Sequence, residues 1–205
     1  MAMPGVKGAA ELEIVPFSGG SANNDYSRPG IQTQHIDENI VSPSYFQTMR
    51  VPLLSGRDFA WTDTVHDDNK IILSRSAAAL LFPHGNPLGQ QIIDDSGEYH
   101  RVIGIVGDAK YSDAREAAPP MAYLPITQSK VHKPSYTLIA RVDGPLAPFA
   151  GAVRNLLARI APEIPAPVFS TMSSALDQSL SAERMMALLS VFFAVCALLV
   201  TAIGL

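Results

Sequence analysis

The sequence predicts an α+β fold in which a sheet-forming domain continues into a transmembrane helix. Short apolar or alternating segments, typical of strands, fill the middle of the 205-residue chain. An amphipathic helix pattern follows them, and an uncharged apolar run from Met185 to Leu205 closes the chain. Alternation of apolar and polar residues indicates strands, whereas apolar positions three and four residues apart indicate a helix.

Composition excludes several classes of function. Hydrophobic residues make up 47% of the chain, charged residues 17%, and the net charge is −4. Lys and Arg form no block, so a nucleic-acid partner is not predicted. Cys196 is the only cysteine, so the chain encodes neither a disulfide framework nor a thiolate metal cluster.

The first forty residues predict two strands separated by a loop. A strand is predicted over residues 6–17, and the Gly, Ser, Asn and Pro content of residues 18–30 predicts a loop. Residues 31–40 alternate and predict an exposed or edge strand. Ser42 is the predicted N-cap of a short helix, with Pro43 at its first position.

The middle of the chain predicts a buried strand, a helix and three further strands. Residues 70–74 predict the buried strand and residues 74–82 the helix, which Pro83 and Gly85 would end. Residues 100–109 carry the strongest strand pattern, and residues 121–126 and 135–142 predict the other two strands. Residues 61–70 predict a polar loop. Within it, residues 63–68 carry three carboxylates and His66, which could in principle bind a divalent cation but match no known ligand spacing and are interpreted as a solvated acidic loop.

Residues 144–165 predict an amphipathic helix. We expect it to pack against strands at residues 136–142 and 166–170. Its apolar stripe consists of Leu146, Phe149, Ala150, Val153, Leu156, Leu157 and Ile160. From this stripe, Leu146, Phe149, Val153, Leu156 and Ile160 are predicted to face the sheet.

The closing run predicts a transmembrane helix, because about 20 apolar residues are needed to cross the hydrocarbon core of a bilayer. Its representative positions are Met185, Leu189, Phe193, Leu198 and Leu205. Membrane lipid is therefore an expected partner, and Lys- and Arg-rich sequence would be expected soon after Leu205. A buried core helix is the alternative interpretation.

No catalytic, cofactor or metal site is predicted. The sequence contains no Walker A motif and no G-x-S-x-G motif. Gly104 and Gly107 supply only two of the three glycines of a dinucleotide-binding turn. The histidines at 35, 84, 100 and 132 are scattered singly and are read as structural or surface residues.

Three motifs in order resemble those of the MacB-type periplasmic core domain of FtsX-like ABC transporter permeases. They are "VSPSYFQTMRVPLLSGRDF", "AAALLFPHGNPLGQQI" and "VIGIVGDAKYSDAREAAPPMAYLP". The resemblance extends over nearly the whole chain and is nearest to orphan or duplicated permeases. The positions that carry it, read as structural, are Pro43, Tyr45, Phe46, Gly56, Arg57, Phe59, Phe82, Pro83, Pro87, Gly89, Gly104, Gly107 and Asp108.

The resemblance implies a two-part core. Residues 1–34 would belong to a partial first β-α-β piece of a Porter-like subdomain, residues 35–129 to an inserted mixed α/β subdomain, and residues 130–172 to the second β-α-β piece. Residues 173–205 would form a stalk and a transmembrane helix that the end of the sequence truncates.

The resemblance also implies a non-catalytic function without a cofactor. The domain would lie outside a bacterial inner membrane, with residues 1 to about 182 extracytoplasmic, and would relay ATP-driven motion for efflux or mechanotransmission. Its expected partners are a separate ATP-binding subunit and a second permease half, in a homodimer or pseudo-dimer. A membrane-anchored sensor or binding module, and a membrane-anchored enzyme, are the alternatives.

Overall fold

The computed structural model describes residues 5–111, 117–129, 137–177, 189–194, 197 and 201. Within the described part of residues 5–160, nine strands form one sheet, accompanied by three α-helices and a short 3₁₀ helix. Residues 172–177 and 189–194 are also helical. The elements are β1 (Val6–Leu12), β2 (Asn23–Arg28), β3 (Ile31–Val41), α1 (Tyr45–Met49), β4 (Leu53–Gly56), β5 (Lys70–Ser74), α2 (Arg75–Leu81), β6 (Gln91–Ile93), β7 (Tyr99–Val106), β8 (Met121–Pro125), the 3₁₀ helix (Ile126–Gln128), β9 (Thr137–Val142) and α3 (Leu146–Ile160).

Six of the strands form a closed ring of hydrogen-bonded neighbours. The order β2-β6-β7-β5-β8-β3 returns to its start because β2 pairs with both β6 and β3. The pairs β3–β8 and β5–β7 are parallel, and the others in the ring are antiparallel. β5 lies between β7 and β8, which explains why its sequence is a continuous apolar run rather than an alternating one.

The remaining strands attach to this ring at two places. β1 pairs with β3 and with β9, so the beginning of the chain and residues 137–142 lie side by side. β4 pairs with the second half of β7. Strand β3 is therefore an interior strand, and the edge alternative of the prediction was wrong. The exposed alternative holds for its first half, where Gln32, Thr33 and His35 are exposed. The predicted loop at residues 18–30 was also wrong in part, since it contains β2.

Two hydrophobic clusters fill the core. One cluster lies against α1 and β1, and its aromatic side chains are Tyr45, Phe46, Phe59, Tyr111 and Tyr123. The other gathers Tyr26, Ile36, Ile71, Leu73, Ile92 and Val102 from the strands of the ring, together with Ala77, Ala78 and Leu81 of α2. The alternation in β7, where every second residue is buried, supplies side chains to both clusters.

The two short helices have different starts. The N-cap of α2 is Ser74, whose Oγ accepts a hydrogen bond from the N–H of Ala77 at 3.2 Å. The N-cap of α1 is Ser44, in a left-handed conformation and without a side-chain cap. Ser42 was therefore wrongly predicted as this cap. Its Oγ instead accepts a hydrogen bond from the Glu11 N–H at 2.8 Å and connects the helix entry to β1.

The predicted amphipathic helix is present as α3, but its packing differs from the prediction. Ala150 is its buried residue, whereas Leu156 and Ile160 are 40% and 66% exposed. Residues 166–170 do not form the predicted strand. They run irregularly beside α3, and the ring of Phe169 lies edge-on to Phe149 with 6.5 Å between the ring centroids.

The predicted transmembrane segment falls largely outside the described residues, including Met185, Leu198 and Leu205. Residues 189–194 are helical, and Leu189 and Phe193 are exposed there at 50% and 65%. Among the helices of the described residues, none has both the length and the apolar character needed to cross a bilayer.

The antiparallel pairing of β4 with β7 depends on a glycine in each strand. Gly56 has a φ of +78°, and a Cβ there would lie 2.2 Å from the Ile103 carbonyl oxygen. A Cβ on Gly104 would lie 2.5 Å from the carbonyl oxygen of Arg57. Real Cβ atoms do not approach carbonyl oxygens so closely, so the two backbones can pair in this register only because both side chains are absent.

Replacing Gly56 with alanine is expected to destabilise the domain strongly. The matched control is Gly89→Ala, because Gly89 has a φ of +79° but no atom would lie within 4 Å of an added Cβ. Gly89→Ala should lower the free energy of unfolding by about 1–2 kcal/mol through backbone strain alone. Gly56→Ala should cost at least about 2 kcal/mol more through overpacking, measured by denaturant unfolding. If both variants lose the same free energy of unfolding, close contact between the β4 and β7 backbones is not the reason that Gly56 is needed.

Candidate functional site

The motif residues near α1 form one aromatic cluster. Tyr45 and Phe46 of α1 meet Phe59 and Tyr123, with ring centroids between 4.9 and 6.2 Å apart. All four side chains are at least 96% buried. Burial raises the pKa of Tyr45 and Tyr123 above the ordinary value, so both phenols stay neutral and serve as core residues rather than as acids or bases.

Arg57, the motif residue after β4, forms a two-pronged ion pair with Asp63. Its two terminal nitrogens donate to the two carboxylate oxygens at 2.8 Å each. The Ala60 N–H also donates to Asp63, at 2.9 Å, so the carboxylate closes the turn between them. A bidentate Arg–carboxylate pair fixes orientation as well as distance.

The loop that follows is fixed rather than freely solvated. Lys70 at the start of β5 lies 3.4 Å from Asp63, and the side-chain N–H of Gln128 donates to the carbonyls of Thr64 and Asp68. Asp63 is 5% exposed. The interpretation of residues 63–68 as a solvated acidic loop is therefore wrong for Asp63, whose charge is held by two cations.

The pKa values of the two carboxyl groups of this turn shift in opposite directions, although burial by itself raises both. The hydrogen bond from Arg57, aided by the Ala60 N–H and Lys70, lowers the pKa of Asp63 to about 2. Burial raises the pKa of Asp58 above its ordinary value, although backbone N–H groups oppose the shift. Only Asp63 combines burial with a guanidinium partner, so its charge is the one that stabilises the loop.

The loop also presents apolar side chains to solvent. Trp61 is 64% exposed and Val65 51% exposed, while Leu53 and Leu54 of β4 are 43% and 48% exposed. A Trp held outward on a fixed loop is a side chain typical of protein interfaces. The motif around Arg57 thus shapes a surface and builds no group of reacting side chains.

The other motif residues lie away from this cluster. Phe82 ends α2 under the guanidinium of Arg28, 4.6 Å from the ring centroid, and Pro83 is exposed. Pro87 is buried, and the N–H of Gly89 donates to Val102 in β7. These residues shape the connection from α2 to β6.

Gly107 and Asp108 shape the end of β7. A Cβ on Gly107 would meet the ring of Pro52 at 2.8 Å. Asp108 accepts a hydrogen bond from the Ser76 N–H in the first turn of α2 at 2.8 Å. The thirteen predicted positions fall into three groups. Tyr45, Phe46 and Phe59 share the aromatic cluster, with Pro43 buried just before α1, and Gly56, Arg57 and Gly104 meet where β4 pairs with β7. The other six serve other parts of the ring: Phe82, Pro83, Pro87, Gly89, Gly107 and Asp108.

A cavity of about 180 Å³ opens beside the 3₁₀ helix, and sequence reasoning did not identify it. Asp94, Glu98 and His100 line it together with Lys70 and Gln128. One potential ligand atom from each of the first three lies within 4.8 Å of the others. The segment "DDSGEYH" carries the signal that could have identified the group, since a Gly-containing turn between two strands brings positions 94, 98 and 100 to one face.

Neutralising Asp63 is expected to lower stability in a pH-dependent way. Because the folded pKa of about 2 lies below the ordinary value of 3.8, Asp63 stabilises the fold above about pH 4 and loses that contribution as the pH falls toward 2. Asp63→Asn should cost about 2 kcal/mol at pH 7 and should flatten the stability curve between about pH 4 and 2.

The matched control for this prediction is Asp68→Asn, which removes a 63%-exposed carboxylate of the same loop and should change the free energy of unfolding by less than about 1 kcal/mol. Urea unfolding at several pH values measures both variants. An unchanged acid response in Asp63→Asn would contradict the role assigned to the Arg57–Asp63 pair.

Comparison with known proteins connects this architecture to transporter domains. The periplasmic region of MacB from Actinobacillus actinomycetemcomitans superposes with a TM-score of 0.60 at 17% identity, over 87% of this chain and 78% of that one. The extracellular domain of the noncanonic ABC-type transporter YknZ from Gram-positive bacteria gives 0.54 at 17% identity, over 76% of each chain. At such identities the likeness shows a shared fold. The comparison with curated proteins returned no match.

The sequence profile of one family adds what the fold alone does not. The profile, described as the MacB-like periplasmic core domain, matches residues 2–162. This range contains β1 to β9, α1 to α3 and all thirteen motif positions. The chain therefore belongs to the family of MacB-like periplasmic core domains.

Proposed function

We propose that this chain is the extracytoplasmic core domain of an ABC transporter permease and relays motion that a separate ATP-binding subunit generates. The observation that carries the proposal is the family match over residues 2–162, together with the shared fold of the MacB periplasmic region and the YknZ extracellular domain. The sequence contains no Walker A motif, so in this proposal ATP is hydrolysed outside these 205 residues. The domain itself acts without catalysis.

The stalk is the part of the chain through which motion would enter. Residues 172–177 are helical, and no Gly or Pro occurs between Ser173 and Thr201. The helix starts at a defined point, because the Oγ1 of Thr171 accepts a hydrogen bond from the Ser174 N–H at 3.1 Å. A helix without a breaker is stiff and transmits displacement along its axis.

Phe169 connects the stalk to the domain. Its ring contacts Phe149 of α3, and the guanidinium of Arg154 lies 5.1 Å from its centroid. Helix α3 follows β9, which pairs with β1 along the register from Val6 to Leu12. Displacement of the stalk would therefore reach the sheet through Phe169, α3 and the β9–β1 pair.

The proposal includes a location and partners. The apolar run from Met185 to Leu205 would lie in the inner membrane of a bacterium, with the domain on the outer side. A second permease half would complete a dimer or pseudo-dimer. The exposed Trp61 and its neighbours on the fixed loop are suited to contact an extracytoplasmic protein.

We expect the full chain to fractionate with membranes and to face outward. In a Cys196→Ala background, Asn155→Cys on the exposed side of α3 should react with a membrane-impermeant maleimide in intact spheroplasts. A version ending at Asp177 should be found in the soluble fraction, because the apolar run is removed. Labelling only after lysis would place the domain in the cytoplasm, and a soluble full chain would remove the membrane segment from the proposal.

The relay itself is tested at Phe169. An environment-sensitive fluorophore on Asn155→Cys, in membranes of the source organism, should change its emission on addition of ATP and Mg²⁺. Phe169→Ala should abolish the change, because the contact between stalk and α3 is lost. Val168→Ala is the matched control, since the neighbouring side chain is 96% exposed.

Either of two outcomes would count against the relay. The first is an ATP response that Phe169→Ala leaves intact. The second is the absence of any response in the parent chain when the ATP-binding subunit is present in the same membranes.

A further inference from the structure

The hairpin of β6 and β7 places three ligand-type side chains on one face. In this hairpin Ile92 pairs with His100, and the Asp94 N–H donates to the Glu98 carbonyl at 3.1 Å. Positions 92, 94, 98 and 100 therefore alternate onto the same side. Ile92 and His100 are 0% and 6% exposed, so this side faces the interior.

The carboxylate of Asp94 is oriented by its own turn. One of its oxygens, Oδ1, accepts hydrogen bonds from the Ser96 hydroxyl at 2.7 Å and the Glu98 N–H at 2.8 Å. The other oxygen, Oδ2, lies 2.9 Å from Nε2 of His100. These three contacts fix the orientation of the carboxylate at the edge of the cavity.

Glu98 and the side chains around it complete the cavity wall. The Asn69 amide donates to Oε2 of Glu98 at 3.2 Å, which orients this second carboxylate. Lys70 also lines the cavity, and it makes ion pairs with Asp63 and Asp67 at 3.4 and 3.7 Å. The cavity thus brings together two oriented carboxylates and an imidazole.

The imidazole of His100 has an unsatisfied nitrogen. Its Nδ1 is buried and contacts no hydrogen-bond partner in the described part of the chain. The edge-on neighbour of the ring is Tyr26, whose hydroxyl donates to Glu38 instead. A buried polar atom without a partner is rare in folded proteins, so the groups of the described residues do not fully satisfy this imidazole.

We propose that Asp94, Glu98 and His100 bind a divalent transition-metal ion of the Zn²⁺ class. One ligand atom from each already lies within 4.8 Å of the other two, and ligands of a tetrahedral zinc ion are about 3.4 Å apart. Small side-chain rotations bring the set to that spacing, and the bound ion replaces the 2.9 Å contact between Asp94 and His100. The combination of one imidazole and two carboxylates favours Zn²⁺ over Ca²⁺ or Mg²⁺, which prefer oxygen ligands alone. The open cavity leaves room for water as a fourth ligand.

The site would act as a cross-link within the ring of strands. It lies where β6 and β7 meet the cavity formed with β5, β8 and the 3₁₀ helix, because Lys70, Leu124 and Gln128 line the same space. A bound ion stabilises the folded state alone and raises its unfolding temperature. This property is independent of the proposed relay of motion, so either proposal can fail without the other.

The test is calorimetric titration of the untagged full-length chain with Zn²⁺ at about pH 7, where histidine is largely neutral. The expected result is one Zn²⁺ per chain and a higher thermal unfolding midpoint. Glu98→Gln keeps the shape of the side chain and should weaken binding at least about tenfold. His100→Gln should do the same.

The matched control is Asp95→Asn, which removes the same charge from an exposed residue of the same turn and should bind Zn²⁺ as the parent does. Unchanged affinity in Glu98→Gln, with circular dichroism confirming its fold, would place the ion elsewhere and overturn the assignment. Absence of Zn²⁺ binding by the parent, or displacement of Zn²⁺ by equimolar Ca²⁺, would also overturn it.

Discussion

Strand β3 is the element on which the rest of the structure depends. It has eleven residues, and along this length it pairs with β2 through residues 31–37, with β8 through residues 37–41 and with β1 at Val41. The first two pairings close the ring of six strands, and the third attaches β1 and β9 to it. Because each pairing uses a different stretch or edge of β3, a shift of register there would disturb all three at once.

Polar side chains hold this junction in place. The buried amide of Asn39 accepts from the Ile14 N–H at 3.0 Å and donates to the Ile14 carbonyl at 2.8 Å, so it replaces the backbone pairing that β1 and β3 would otherwise continue. The hydroxyl of Tyr111 also donates to the Ile14 carbonyl, at 2.6 Å. Such buried, fully bonded groups define one arrangement of the chain, since any other would leave them unsatisfied.

The same junction relates the two sites to the proposed function. The pair of β1 and β9 leads to α3 and Phe169. The Arg57–Asp63 loop and the β6–β7 hairpin are neighbours on the ring, because Lys70 and Gln128 contact the loop and also line the cavity beside the hairpin. Motion that enters through the stalk would reach the ring through β1 and β3. The Arg57–Asp63 ion pair holds the loop that carries Trp61, and the hydrogen bond from the Glu98 N–H to Asp94 holds the turn of the β6–β7 hairpin. Both segments would therefore move together with the ring.

The sequence by itself determined the family and most of the regular elements, because both depend on local information. Residues 70–74, the helix after them and the strand patterns near 100 and 121 were predictable from residue type and period alone. The motif positions from Pro43 to Asp108 carried the family resemblance for the same reason. Tertiary structure decided the rest, since β2 contains Asn23, Asn24 and Asp25, residues that favour loops, and is a strand only because β3 and β6 flank it. It also decided which face of α3 is buried and how Asp63 is paired, because both depend on contacts between elements. That Asp94, Glu98 and His100 share a cavity depends on the register of the β6–β7 hairpin, and no property of the single residues determines that register.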